Sequence, residues 1–262
     1  MIFYKTAEEI EFIRNSSLLV SRALAEVGKY IKPGITTLSL DKIGDEFIRD
    51  NRGYPAFLGY RGFPNSLCIS VNEQVVHGLP GNRILKEGDL VSIDCGVLLD
   101  KFYGDSAFTF AVGEINESKK ELLNVTRASL DIGVNQAHIG KRIGDIASAI
   151  QQYVERNGFS VVRELVGHGL GKKLHEDPEV PNYGKRGSGS KLMEGLVIAI
   201  EPMVNMGKKG VLQAQDGWTI YSEDNSPSAH FEHTVAVTKA GPEMLTTFDF
   251  IEEAIHENAF TR

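Results

Sequence analysis

Two cysteines in 262 residues are too few for a disulfide framework. Cys68 and Cys95 form no CxxC pair, so both are expected as reduced thiols. No apolar run approaches the roughly 18 residues of a membrane span. The stretch Met1–Glu9 meets acidic residues with no basic region followed by an apolar one, so no secretion signal is expected. Positive charge is also short: 28 Lys and Arg stand against 35 Asp and Glu, a net charge of −7 that argues against bulk nucleic-acid binding. What remains, 42% apolar and 24% charged residues, has the balance of a soluble, cytoplasmic, globular protein with no membrane partner. The length allows a sizeable core.

An internal repeat is present. Glu87-Gly88-Asp89-Leu90-Val91-Ser92-Ile93-Asp94 matches Glu194-Gly195-Leu196-Val197-Ile198-Ala199-Ile200-Glu201 without a gap, at an offset of 107. Gly34 to Gly53-Tyr54 matches Gly140 to Gly158-Phe159 at offsets of 106 and 105. A third match, Val76-His77-Gly78-Leu79 with Gly167-His168-Gly169-Leu170, has an offset of 91. The shortfall is read as about 16 residues inserted within 171–191, a Gly- and Pro-rich stretch expected to be a loop. The reading is one domain over residues 1–262, made of two similar halves, about 1–115 and 116–262.

Each half reads as two helices followed by strands. Thr6 and Glu9 have capping-box spacing, opening a helix to about Ile31. Further helices are expected at Leu38–Asp50, Glu117–Gln136 and Ile143–Arg156, with strands near 66–71, 90–98, 103–112, 165–167, 197–204, 218–222 and 231–238. Helices and then strands, twice over, indicate an α+β fold with two pseudo-symmetric halves around an antiparallel sheet.

Alternate residues of a strand share a face. Asp94 then lies with Ser92 and Gly96, Glu201 with Val197 and Ala199, and Glu232 with Thr234 and Ala236. Mostly small neighbours leave room beside each carboxylate, where an ordinary solvent face would carry longer polar chains. A turn at Leu99-Asp100 would set Asp94 opposite Asp105. Two acids at such a distance repel unless a proton or cation separates them. His168, between two glycines that permit close backbone approach, is the candidate imidazole ligand. Four carboxylates and one neutral imidazole balance two dications. An oxygen-rich set with no thiolate suits Co, Mn, Fe or Zn in a catalytic pair. His77 is expected in the cleft as the first-half counterpart of His168. His175 is a candidate for the cleft. His138, His230, His233 and His256 read as structural or surface histidines.

The order Asp94, Asp105, His168, Glu201, Glu232, with Val76-His77-Gly78-Leu79-Pro80, Gly167-His168-Gly169-Leu170-Gly171, Ile200-Glu201-Pro202-Met203 and Phe231-Glu232-His233-Thr234, resembles the type I methionine aminopeptidases over almost the whole chain. The resemblance implies the duplicated pita-bread fold and removal of the initiator methionine from nascent polypeptides whose second residue is small. It implies two divalent metals (Co, Mn, Fe or Zn): Asp94 chelating one, Asp105 and Glu232 bridging both, and His168 and Glu201 completing the other. Glu201 would take the proton of the attacking water. His77 would contact the scissile nitrogen and His175 the substrate carbonyl. Phe57, Tyr60, Phe63, Cys68 and Trp218 would line the methionine pocket. Phe57, Arg61, Phe63 and Leu174 depart from residues common in bacterial members, which leaves the chemistry intact but alters the pocket. The partners expected are nascent N-termini beginning with Met, met by a monomer. Lys172, Lys173, Lys185, Arg186 and Lys191 make one loop basic; a solvated loop is the default, and contact with the ribosome surface is the alternative left open. The nearest rival is a proline-directed peptidase on the same fold. A binding module that kept only the fold would commonly have lost some of the five ligands.

Overall fold

Capping chemistry sets the helix starts. The Thr6 hydroxyl accepts from the Glu9 amide and the Glu9 carboxylate accepts from the Thr6 amide, opening α1 (Ala7–Gly28). Thr36 caps α2 (Thr37–Asp50) and Asn116 caps α3 (Glu117–Val134). Asp145 accepts from the Arg142 amide at the head of α4 (Ile143–Arg156). A last helix, α5 (Asp249–Phe260), adds to the expected set. It packs on α1 and buries Ile251 and Ala254. The computed structural model describes residues 1–260, with side chains through Ile255, so His256 lies outside the described side chains.

The strands of the first half are β1 (Tyr54–Pro55), β2 (Cys68–Val71), β3 (Gln74–Val76), β4 (Leu90–Leu99) and β5 (Phe102–Ala111). Those of the second are β6 (Ser160–Val161), β7 (Gly167–Gly169), β8 (Glu176–Val180), β9 (Val197–Ile200), β10 (Met203–Asn205), β11 (Val211–Gln213), β12 (Ile220–Ser222), β13 (Ser228–His230), β14 (His233–Thr238) and β15 (Gly241–Met244). Every pairing between them is antiparallel, in four sheets. One runs β1-β4-β2 with β5 beside β4, and another runs β15-β14-β9-β7-β8. The two halves are stitched between β5 and the β13–β14 segment. Ser106 donates to the Glu232 carbonyl at 2.6 Å, Thr234 to that of Asp105 at 2.7 Å and Thr109 to that of His230 at 2.7 Å.

The duplication reaches the backbone. Gly34 and Gly140 have φ of 96° and 90°, and Gly88 and Gly195 have 85° and 84°. The isolated bridges Thr36–Ile84 and Arg142–Lys191 repeat at offsets of 106 and 107. The third sequence match is corrected. Val91 pairs with Val71 and its repeat mate Ile198 pairs with Gly169. His168 is therefore the counterpart of Ser70, and His77 lies beyond β3 in the first half. The expected loop at 171–191 contains β8, which pairs with β7. The expected strand over 197–204 is split, because Pro202 has no N–H for the ladder.

Candidate metal centre

Alternation along β4 works as the sequence suggests. Val91, Ile93, Cys95 and Val97 are fully buried in the core. Ser92, Asp94 and Gly96 take the other face. A Cβ on Gly96 would lie 2.7 Å from the Phe57 ring, so the absent side chain admits an aromatic ring beside Asp94. The register differs from expectation: Asp94 pairs with Ala107, and Asp105 with Gly96. The turn is Asp100-Lys101, one residue later, with φ of 50° and 71°, the positive pair that a two-residue hairpin favours. Moving a turn by one residue moves the register by two, and the faces are kept. Asp105 becomes the diagonal neighbour of Asp94, near enough for the charge of Asp94 to raise the Asp105 carboxyl.

His168 sits inside β7, between glycines that the packing requires. A Cβ on Gly167 would stand 2.3 Å from the Ala199 carbonyl oxygen, and one on Gly169 would stand 2.3 Å from that of Asp177. His168 Nδ1 is 2.9 Å from the Gly169 carbonyl oxygen. A carbonyl only accepts, so Nδ1 carries the proton and Nε2 is left to ligate. Nε2 lies 3.8 Å from Asp105 Oδ2 and 3.7 Å from Glu201 Oε1. Glu201 follows β9, its carbonyl held by the Asn182 amide at 2.9 Å. Glu232 lies one step before β14, beyond the His233–Ile200 pair and so opposite Glu201. Its amide donates to the Ala107 carbonyl at 3.0 Å. Ligand atoms of Asp105, His168 and Glu232 lie within 4.8 Å of one another.

These acids are buried without partners. Asp94 Oδ1, Asp105 Oδ1 and Glu232 Oε1 lack hydrogen bonds. Burial, then the charges of neighbouring acids, holds the Asp105 and Glu232 carboxyls well above the usual range. Burial likewise raises Asp94 and Glu201, each to about 7. Converging carboxylates with bare oxygens, beside a free imidazole nitrogen, fit hard divalent cations. Cys68 and Cys95 are free and buried. Burial, then the fields of Asp94 and Asp105, keeps both thiols protonated and out of the donor set.

A cavity of about 290 Å³ opens onto this cluster. Its lining includes every residue expected to hold a metal, act on the substrate or line the methionine pocket: Phe57, Tyr60, Phe63, Cys68, His77, Asp94, Asp105, His168, His175, Glu201, Trp218 and Glu232; Leu174 is not among them. Phe63 meets Trp218 edge-on at 5.2 Å. His77 stands at a φ of 56°, rare for a side chain other than glycine. Burial lowers its imidazole to about 4. His175, at the exposed mouth, is lowered to about 3 by partial desolvation and then by His168, Arg61 and His77. Its Nδ1 is 2.9 Å from the Tyr60 hydroxyl.

His233 is structural as expected, bonded to Thr246 at 2.7 Å and stacked on Phe248. His230 is buried, as a structural histidine would be, but its Nε2 lies 3.6 Å from Glu201 Oε2 and both its ring nitrogens are unpartnered. Val76, Leu165 and Met203 also line the cavity and carry no chemical signature in the sequence.

Residues 11–239 match the model of Metallopeptidase family M24. A methionine aminopeptidase of Clostridium perfringens is 52% identical over 94% of this chain and 99% of its own length. The crystal structure of the methionine aminopeptidase of Thermotoga maritima superposes with a TM-score of 0.93 at 46% identity, covering 94% of this chain and all of that one. The prolidase of Pyrococcus furiosus, at 24% identity and a TM-score of 0.73, shares the fold over 93% of this chain and 65% of its own. With its two pseudo-symmetric halves and antiparallel sheets, this chain has the pita-bread fold and belongs to metallopeptidase family M24, among the methionine aminopeptidases.

Proposed function

We propose that this chain removes the N-terminal methionine from nascent polypeptides whose second residue is small, as one catalytic unit spanning residues 1–262 with repeats of about 1–115 and 116–262. The observation that carries the reading is the convergence of unpartnered, buried carboxylate oxygens with His168 Nε2 at the inner end of an aromatic cavity.

Asp94, Asp105, His168, Glu201 and Glu232 would hold two divalent cations from the set Co, Mn, Fe or Zn. The charge of four carboxylates calls for two dications rather than one. When bound, such a pair neutralises the acids, polarises a carbonyl and acidifies a water. The protein's own groups do the rest. Glu201, whose Oε1 lies 3.7 Å from His168 Nε2, would take the proton of the attacking water. His77 and His175 are neutral there, and each can donate one hydrogen bond. With the Tyr60 hydroxyl as donor to His175 Nδ1, 2.9 Å away, Nε2–H would be left for the substrate carbonyl and the oxyanion that develops on it. His77 contacts the scissile nitrogen. Phe57, Tyr60, Phe63, Cys68 and Trp218 enclose the thioether side chain in an apolar, aromatic pocket.

The cytoplasm is the compartment that supplies such substrates, and no helix among the described residues is long and apolar enough to cross a membrane. The enzyme acts as a monomer in this reading. Lys172, Lys173, Lys185, Arg186 and Lys191 are exposed and would face the ribosome surface.

The test is hydrolysis of Met-Ala-Ser before and after chelation and metal add-back. Activity is expected to vanish, then return. Glu201→Ala is expected to lose at least roughly 10²-fold in kcat. Cleavage of X-Pro peptides in preference to Met-Ala-Ser, or activity indifferent to chelation, would count against the proposal.

A further inference from the structure

His230 is the buried titratable group that the proposed chemistry leaves unused. It ends β13, where it pairs with Met203, two residues after Glu201. Its backbone is held on both sides by one hydroxyl. The His230 amide donates to Thr109 Oγ1 at 2.9 Å, and that hydroxyl donates to the His230 carbonyl at 2.7 Å. The ring therefore leaves a fixed backbone, and it is only 1% exposed with neither nitrogen hydrogen-bonded. A buried N–H without an acceptor is rare in folded proteins. Glu201 Oε2 lies 3.6 Å from Nε2, about half an ångström beyond hydrogen-bonding distance. The other oxygen of that carboxylate, Oε1, faces His168 Nε2 at 3.7 Å.

We propose that His230 is a positioning residue: its Nε2–H donates to Glu201 Oε2 and divides the carboxylate's two oxygens between two jobs. Oε1 stays with His168 on the ligand side. Oε2 is held at a fixed angle as the proton acceptor. No proton leaves the imidazole, so its part is orientation. The inference rests on Glu201 being the base.

The experiment compares His230→Leu with His230→Gln, which returns an N–H donor, in manganese-loaded enzyme acting on Met-Ala-Ser. The leucine variant is expected to lose roughly 10- to 100-fold in kcat with KM little moved, the size of effect seen for outer-shell partners, and the glutamine variant to recover most of it. Loss in both variants, or in neither, overturns the inference. A second readout needs no variant. Histidine ¹⁵N spectra of the zinc-loaded wild-type enzyme should show His230 as the Nε2–H tautomer, and an Nδ1–H tautomer overturns the proposal whatever the kinetics. The parent reading fails separately: if Glu201→Gln keeps its rate, Glu201 is not the base, and that result does not depend on His230.

Discussion

Burial at Asp94 and Glu201 disfavours the charged carboxylate unless a proton or a cation offsets it. Each is raised from below 5 to about 7, first by desolvation. An acid raised on folding binds more protons in the native state than in the unfolded one across the interval between the two pKa values. Stability of the metal-free protein must then fall as pH rises through that interval. The window runs from about 4 to about 7 for these two groups. Thermal melts of chelator-stripped protein across it are expected to decline steadily. With manganese the decline should be cancelled or reversed, because metal and protons compete for the same oxygens. A metal-free protein whose melting temperature rises through that window would show that the acids are not held as described.

At the level of elements, the N-terminal segment and the His175 segment are clamped together by one buried ion pair. Lys5 Nζ lies 2.7 Å from Glu176 Oε2, and both side chains are 4% exposed. The Lys5 amide also donates to the Gly195 carbonyl, ahead of β9. Removing one partner strands the other charge. Lys5→Met is expected to cost about 3–5 kcal/mol in urea unfolding, and Lys5→Met combined with Glu176→Leu should recover much of that loss. Elements of this kind differ in how far the sequence reveals them. Helix α4 is found at Ile143–Arg156 as read, because a regular apolar stripe is bounded by turn residues at both ends. The Asp94 strand was equally legible from alternation. Strand β8 was not: Glu176-Asp177-Pro178-Glu179 looks like loop, and only its pairing with β7 makes it a strand. The hairpin register was missed because Asp100-Lys101 lacks the Asn-Gly or Asp-Gly signature of a positive-φ turn. The candidate metal ligands were picked out by their spacing and small neighbours, and the fold brings Asp105, His168 and Glu232 within 4.8 Å of one another. His230 was not, because its significance lies in a partner 29 positions earlier, Glu201, and that proximity arises only when β10 and β13 pair.

For the whole molecule, duplication explains why the proposed ligands are spread so widely along the chain. Asp94 and Asp105 come from the first half, and His168, Glu201 and Glu232 come from the second. The Ser106, Thr109 and Thr234 hydroxyls join the two sets across β5. The charge of the whole chain is −7, yet the 172–191 stretch carries five basic residues. Two of them already meet acids: Lys172 is 2.8 Å from Glu9, and Arg186 is 3.9 Å from Asp145. Reversing Lys173, Lys185 and Lys191 to Glu is expected to weaken co-sedimentation with ribosomes at low salt and leave hydrolysis of short peptides unchanged. Unchanged co-sedimentation would remove the ribosome from the proposal.

The most direct measurement is an anomalous difference map from crystals grown with excess manganese. The account predicts two peaks, roughly 3.5–4 Å apart, enclosed by Asp94, Asp105, His168, Glu201 and Glu232. A map with no density among those side chains, or with a single ion bound elsewhere, would contradict it.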